Sequence, residues 1–321
     1  MDFFLLALST LDATLRIATP LILCAMAGIF AERSGIVDIS LEGKLLTGAF
    51  VAAATAALTG SAWIGLLAAM AASSAMSAIH GFATITHRGD QVVSGVAINI
   101  LAAGITVIIG IALFRQGGQT PILVSDARFS SITWAGAEAL DPIPILGPIY
   151  HDVISGHNIL VYIALLIVPL ASFILYKTRF GLRLRAVGEV PEAVDTAGIS
   201  VPWLRYRALL IGGLFCGIAG AYLSTAAGSN FVREMSAGKG FIALAAVIFG
   251  NWRPLSAFLA CLMFGFLEAL TPRIQGVEFP LIGEIPSQVM LAIPYIVTVL
   301  LLAGFIGKPS PPAAIGQPYE K

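Results

Sequence analysis

Seven long apolar stretches, with Arg16 and Glu268 as the charged residues among them, constrain the fold of this chain more than any other feature of its sequence. Each stretch has roughly the 17 to 25 residues that a helix needs to cross about 30 Å of hydrocarbon. They cover residues 15–31, 63–86, 92–114, 158–176, 208–226, 254–270 and 287–307. With 58% hydrophobic residues among 321, the chain is too apolar for a soluble globule. We therefore predict an all-α, multi-pass membrane protein that forms a single transmembrane domain over residues 1–321.

Two further apolar runs, residues 44–59 and 240–250, are too short to span a membrane comfortably as straight helices. We interpret them as broken or re-entrant elements, which gives about 8–10 membrane segments in total. Each run opens with Gly-Lys, follows one long span and precedes two more. This order predicts an inverted repeat whose short, Gly-interrupted elements mark a transport site near the midplane. The alternative is that the Gly-Lys pair recurs by chance.

Basic residues beside the spans predict which loops face the cytoplasm. Residues 177–207 contain six of the 18 Lys and Arg residues, so we assign this loop to the cytoplasm. Residues 116–157 contain only Arg128 against four acidic residues, and we assign them to the extracytoplasmic side. Counting spans from these two loops places the 308–321 tail in the cytoplasm and the N-terminus outside.

The cytoplasmic loop contains a short helix signal in the stretch LRAVGEVPEAVDTAG, residues 184–198. Pro191 suits the first helical position, Glu192 and Asp195 lie where the helix dipole favours carboxylates, and Gly198 can end the helix. A helix of one or two turns is not stable alone, so we expect it to dock against something. The alternative is a solvated connector.

The sequence around this helix resembles the coupling loop of ABC importer permeases of the branched-chain amino acid, ribose and nucleoside superfamily. The likeness lies in YKTRFGLRLRAVGEVPEAVDTAGISVPWLRYRALLIGGLFCGIAGAYL, residues 176–223. Four other stretches extend it over nearly the whole chain and narrow it to the nucleoside permeases: AERSGIVDISLEGKLLTGAF (31–50), DQVVSGVAINILAAGIT (90–106), GKGFIALAAVIFGNWRPLSAF (238–258) and LAGFIGKPSPPAA (302–314). Two residues depart from the family pattern, since Lys44 replaces an apolar residue and Asp38 replaces the usual Asn.

This resemblance implies a type II ABC importer-like permease of the bacterial inner membrane that transports nucleosides. In that family the short helix inserts into a groove of a cytoplasmic ABC ATPase. The coupling residues implied here are Glu189, Glu192, Ala193, Asp195, Thr196, Ala197 and Gly198. The further partners implied are a homologous second permease subunit and an extracytoplasmic substrate-binding lipoprotein. Simple sugars and branched-chain amino acids remain alternative substrates.

Other classes of function lack their sequence signatures. The chain has no His-Glu-x-x-His or Gly-x-Ser-x-Gly motif, and neither Gly-Lys pair has the spacing of a phosphate-binding loop. We therefore expect no enzyme activity, metal or cofactor in this chain, with ATP and Mg bound by the partner ATPase. The net charge of zero does not bear on a nucleic-acid partner, but the lack of a basic stripe interleaved with aromatic residues argues against one. An ion-coupled secondary transporter, which would more often carry an acid deep in a span, stays as an alternative.

Four residues are candidates for the wall of the translocation path: Asp38, Glu42, Asn99 and Phe241. Asp38 and Glu42 are four residues apart and either pair with Lys44 or line the pore, and we favour the pore. Asn99 could bind a base or sugar, or equally tie two helices together. Phe241 offers a flat apolar face to a base.

Several other residues are interpreted as packing or boundary elements. The three cysteines lie in apolar spans and are expected to be free thiols: Cys24, Cys216 and Cys261. We expect His80 to be packed and hydrogen-bonded, and the Gly-rich stretch 212–220 to allow close helix contact. Glu268 lies near a predicted outer boundary, where an interfacial position is favoured over a functional one.

Overall fold

The computed structural model describes residues 2–134, 147, 150, 155–274, 278–279, 283–284, 292, 296 and 310–320. Its α-helices with defined bounds are α1 (Asp2–Arg33), α2 (Leu41–Thr59), α3 (Ala62–Gly81), α4 (Gln91–Phe114), α5 (Ile159–Lys177), α6 (Arg179–Glu189), α7 (Pro191–Thr196), α8 (Val201–Ala221), α9 (Lys239–Phe249) and α10 (Pro254–Ile274). The π-helical turns Phe82–Thr86 and Tyr222–Ala227 extend α3 and α8. The described residues also include a 3₁₀ turn, Ser125–Ala127, and an antiparallel pair of two-residue strands, β1 (Glu278–Phe279) and β2 (Gly283–Glu284).

Seven of the described helices are long and apolar enough to cross a membrane, namely α1, α2, α3, α4, α5, α8 and α10. The chain is therefore a multi-pass membrane protein, and six of the seven predicted spans coincide with these helices. The predicted span 287–307 lies outside the described residues, apart from Ala292 and Ile296.

The two apolar runs that were predicted to be short, 240–250 and 44–59, differ in length in the structure. Helix α9, with 11 residues, is short as predicted. The interpretation of 44–59 as too short to span is wrong, because α2 has 19 residues and a length of about 28 Å at 1.5 Å per residue. The prediction underestimated α2 because it began at Lys44 and left out the turn that contains the charged residue Glu42. Both side chains find partners inside the protein, so the helix extends past them.

Helices α1 and α8 form the centre of the bundle, and glycines allow the close approach that was predicted for 212–220. A Cβ atom at Gly217 would stand 2.5 Å from Met70 Cα, and one at Gly213 would stand 2.6 Å from Ser74 Cα. Only a residue without a side chain fits at such distances, so α8 lies directly on the backbone of α3. Cys24, Cys216 and Cys261 lie buried in this core as free thiols.

The helix contacts have an internal two-fold pattern. Helix α1 packs against α8, α9 and α10, whereas α8 packs against α1, α2 and α3. The first helix of each half therefore contacts the first, second and third helices of the other half. This pattern supports an internal repeat, and the opposite direction of its halves stays a prediction.

The loops gather at two ends of the bundle. We call residues 34–40, 87–90, 178–200, 250–253 and 310–320 the basic end. It is held together by bonds such as Arg33 Nε to Trp252 O at 3.0 Å and Ala314 N to Gly188 O at 2.8 Å. We call residues 115–134, 155–158 and 228–237 the loop end. Here Thr120 N donates to Phe231 O at 3.1 Å.

Candidate functional site

Helices α2 and α9 begin against each other inside the bundle. The carboxylate of Glu42 accepts hydrogen bonds from Gly238 N at 2.8 Å and Gly240 N at 2.7 Å. Helix α9 has no side-chain cap of its own, so the carboxylate from α2 satisfies its free N–H groups and complements its dipole. A Cβ atom at Gly240 would overlap the backbone of Glu42. The two halves of the chain therefore meet backbone to backbone at this point, which we call the junction.

The junction lies well inside the bundle. Its other neighbour, Asn99, is eight residues into α4, or about 12 Å from the basic end at 1.5 Å per residue. Asn99 Oδ1 accepts from Gly43 N at 2.8 Å, and Asn99 Nδ2 donates to Ile39 O at 3.0 Å. The side chain thus ties α4 to the start of α2, which is the second of the two roles considered for it. It uses both ends of its amide in doing so.

Asp38 and Lys44, the two departures from the family pattern, form one ion pair. Lys44 Nζ donates to Asp38 Oδ2 at 2.5 Å, Ser40 also donates to this carboxylate, and both charged side chains are fully buried. Asp38 thus makes the pairing with Lys44 that was the other role considered for it, and its place in the translocation path stays a prediction. A buried charge needs such a partner, because leaving one member alone would cost several kcal/mol.

His80 supports the same region as a packed residue, as predicted. Its Nδ1 is 3.0 Å from Ser94 Oγ and its Nε2 is 3.1 Å from Val37 O. These contacts join α3 to α4 and to the extended segment that leads into α2. The polar residues around the start of α2 are thus used to fix helices in place.

A polar cavity of about 620 Å³ lies between the junction and the loop end. Its charged and aromatic lining includes Arg16, Arg128, His157, Tyr222, Lys239 and Glu268. Lys239 Nζ pairs with Glu268 Oε1 at 2.8 Å, and the Tyr222 hydroxyl donates to Arg16 O at 2.9 Å. Lys239 is the first residue of α9, so this wall of the cavity meets the junction directly. The cavity has the size of a site for a small molecule, for which about 300–1,000 Å³ is usual.

Sequence reasoning missed the residues of this cavity. Glu268, which was interpreted as interfacial, lines this cavity and pairs with Lys239, and its side chain is 39% exposed. One sequence feature could have indicated this site, namely the second Gly-Lys pair, which includes Lys239. Phe241 is 47% exposed and is not part of this cavity lining. Its place in the translocation path stays a prediction, as do those of Asp38, Glu42 and Asn99.

The predicted short helix exists as α7 at the basic end. Pro191 occupies its first turn, and Gly198 follows its end with a φ of 75°, a left-handed conformation that suits glycine. Val194 is buried against Val187, Val201 and Leu204, so the helix docks on α6 and α8 of its own chain. Most of the predicted coupling residues face outward: Glu189, Glu192, Ala193, Thr196, Ala197 and Gly198 are exposed, and Asp195 is half-buried.

Comparison with known proteins identifies what kind of chain has this architecture. The family described as branched-chain amino acid transport system, permease component, matches residues 10–302. The guanosine ABC transporter permease protein NupQ of Bacillus subtilis is 42% identical over 100% of this chain and 99% of its own length.

Two further relatives carry different names. The nucleoside ABC transporter permease protein NupC of Lactococcus lactis is 38% identical over 95% of this chain and 94% of its own. The putative glucose ABC transporter permease protein TsgC13 of Haloferax volcanii is 34% identical, with 92% and 91% covered.

Proposed function

Because the chain belongs to the family of branched-chain amino acid transport system permease components, we propose that it forms the translocation path of a bacterial ABC importer that carries nucleosides. It is a transport subunit and not an enzyme. The proposal of nucleosides as substrate draws on the two most similar relatives described above, whose names specify guanosine and nucleosides.

The observation that carries this proposal is the polar cavity that reaches the junction between the two halves of the chain. A nucleoside combines a ribose with several hydroxyl groups and a flat base. Lys239, Glu268 and Arg128 offer charged hydrogen-bonding groups for the hydroxyls, while the partly exposed apolar side chains of Ile17 and Ala226 offer a surface for the base. An importer gains nothing from tight binding here, because the substrate has to leave again. Few and half-exposed polar groups suit that requirement.

The basic end provides the mechanical connection to a separate ATPase, which would bind ATP and Mg. The outward face of α7 is free to enter a groove of that subunit. Its inward face is joined to α8 through Val194, Val201 and Leu204, and Ile199 N donates to Val194 O at 3.2 Å. Since α8 packs on α2 and α3, a displacement of α7 would move the helices that form the junction.

The proposed topology follows from the same assignment. The basic end faces the cytoplasm, the loop end faces the extracytoplasmic side, and the protein lies in the bacterial inner membrane. A substrate-binding lipoprotein would deliver nucleosides at the loop end, and a homologous permease would complete the membrane unit.

A sugar is the second candidate substrate, since one relative is named as a putative glucose permease. Initial uptake of radiolabelled guanosine, adenosine, uridine, ribose, glucose and leucine should be measured in a strain that lacks this gene, with and without the gene restored. We expect restored uptake of at least one nucleoside, and competition by unlabelled nucleosides but not by leucine. Restored uptake of ribose or glucose alone would contradict the nucleoside assignment, and uptake independent of ATP would contradict the importer class.

A further inference from the structure

The last described residues of the chain, 310–320, cross the whole basic end, and we call them the strap. Four of its backbone N–H groups donate hydrogen bonds to other segments: Ser310 N to Asn251 Oδ1 at 2.9 Å, Ala313 N to Glu189 Oε2 at 3.2 Å, Ala314 N to Gly188 O at 2.8 Å and Gly316 N to Gly35 O at 3.0 Å. Pro312 and Ala314 are buried. The strap therefore joins the α9–α10 turn, the end of α6 and the start of the α1–α2 connection.

Arg205, near the start of α8, fastens the strap to the bundle. Its side chain is among the largest fully buried ones in the described residues. Its Nε donates to Ser34 O at 3.1 Å, and its Nη1 donates to Gln317 O at 3.3 Å. One guanidinium thus links α8, the end of α1 and the strap. The rigid, planar arrangement of its donors allows this, whereas a Lys ammonium on a flexible stem would not reproduce it.

The strap also reaches α7 directly. Tyr319 packs against the buried cluster of Val187, Val194, Val201 and Leu204. Its phenol, which is protonated at neutral pH, donates a hydrogen bond to Asp195, and desolvation together with this bond raises the pKa of Tyr319. Helix α7 has only six residues and no side-chain cap, so it depends on such external contacts for its position.

From these contacts we propose that the strap positions α7 for its ATPase partner, with Arg205 as the positioning residue that fixes the strap. This inference rests on the proposed coupling role of α7. The strap fixes the distance and orientation of α7 relative to α8, so that movement imposed on α7 is passed to the bundle instead of being lost in a loose connection.

The test compares strap variants in the full importer, reconstituted with its ATPase and binding protein. Uptake and ATP hydrolysis are measured together, and their ratio is the coupling ratio. The variants are a deletion of residues 311–321, Tyr319→Ala, Arg205→Ala and Arg205→Lys. Matched controls are Glu320→Gln, which removes only the exposed pair with Arg88, and Arg207→Ala, which removes an exposed arginine stacked on Trp203.

We expect the deletion and Arg205→Ala to lower the coupling ratio about tenfold, a change of about 1.4 kcal/mol. Tyr319→Ala and Arg205→Lys should lower it less, and both controls should keep the wild-type ratio. Because Tyr319 and Arg205 act through the same segment, the Tyr319→Ala and Arg205→Ala effects should combine to less than their sum.

Two results would overturn the positioning role. The first is an unchanged coupling ratio in Tyr319→Ala and in whichever of the other variants assemble. The second is a parallel fall of uptake and ATP hydrolysis with fewer assembled complexes, which would make the strap a general stabiliser. The Val194→Pro variant distinguishes failure of the strap inference from failure of the proposed coupling role of α7. If Val194→Pro transports normally, the coupling role of α7 is wrong, whereas if only the strap variants are normal, the strap inference alone fails.

Discussion

The two ends of the bundle use their charged side chains in different ways. At the basic end, backbone carbonyls and N–H groups from distant segments bond to one another and to Arg33, Arg205 and the strap. Towards the loop end, the charged side chains of Lys239 and Glu268 line a cavity, while backbone bonds such as Thr120 N to Phe231 O hold the loops beside it. Groups fixed in a network transmit displacement, whereas groups on a cavity wall can exchange partners with a passing solute. The difference fits the proposed division of roles, in which the basic end transmits force and the cavity towards the loop end handles substrate.

The largest effect is expected in an experiment that determines on which side of the membrane each end lies. Labelling of an introduced cysteine by an impermeant reagent gives a nearly all-or-none result. In a chain without its three native cysteines, Ser130→Cys at the loop end should react with an impermeant maleimide in intact spheroplasts. Arg183→Cys on α6 should react only after lysis. Both residues are exposed in the folded chain, so burial does not decide the result. The reverse pattern would invert the whole assignment of the ends.

The largest effect on transport is expected from Val194→Pro at the basic end. Proline removes a helix N–H and clashes with the preceding turn, which costs about 3 kcal/mol in a helix interior. Uptake should fall to background while the amount of protein in the membrane stays normal, as measured by immunoblot beside the uptake assay. Val194→Ala is the matched control, since it keeps the helix and loses only part of the packing. Equal uptake by the two variants would argue that helical structure in α7 is unimportant.

The next largest effect should come from the junction, through Gly240→Ala. The new methyl group would overlap the backbone of Glu42, and such overpacking typically costs about 1–3 kcal/mol. We expect uptake to fall about tenfold, with a lower midpoint of heat unfolding in detergent. Gly104→Ala is the control, because its methyl group would meet no atom within 4 Å. If both variants behave alike, the two halves do not depend on close contact at the junction.

A smaller effect is expected in the cavity from Glu268→Gln. The side chain of Glu268 is 39% exposed, so breaking its pair with Lys239 should change stability by no more than about 1 kcal/mol. Loss of the negative charge should still reduce initial uptake about fivefold if this carboxylate binds substrate hydroxyls. Arg88→Gln breaks an exposed pair at the basic end and serves as the control. Wild-type uptake by Glu268→Gln would remove the cavity from the proposed path.

The smallest effect is expected from Phe241→Ala. Its ring is half-exposed next to the junction, and if it contacts a passing base only weakly, uptake should fall about twofold. Phe173→Ala is the control, since that ring is 58% exposed on the apolar surface of α5. Initial uptake rates of the two variants should be compared at equal amounts of permease in the membrane. A difference within error between these two variants would mean that Phe241 faces lipid as Phe173 does.

Local patterns in the sequence predicted a large part of this fold. Six of the predicted spans, the short α9, the short α7 with Pro191 at its start and Gly198 at its end, and the close packing at 212–220 are present in the structure. These features depend on the hydrophobicity of contiguous residues, on fixed backbone angles or on the absence of a side chain. Such properties belong to the residues themselves. The start of α2 was missed because Glu42 finds its partners in Gly238 and Gly240, almost 200 residues away, where no local pattern shows them.

The candidate site could not be predicted in this way, because its residues are far apart in sequence and only the tertiary structure brings them together. Glu42 and Gly240 are 198 residues apart in sequence, Lys239 and Glu268 are 29 apart, and Arg205 lies 112 residues before Gln317. The sequence by itself determined that the chain crosses a membrane, where its spans lie and where a short helix interrupts the basic loop. Only the packing of α1 and α8 decided which polar groups would meet, because a charge inside an apolar bundle is stable only beside the partner that the fold brings to it.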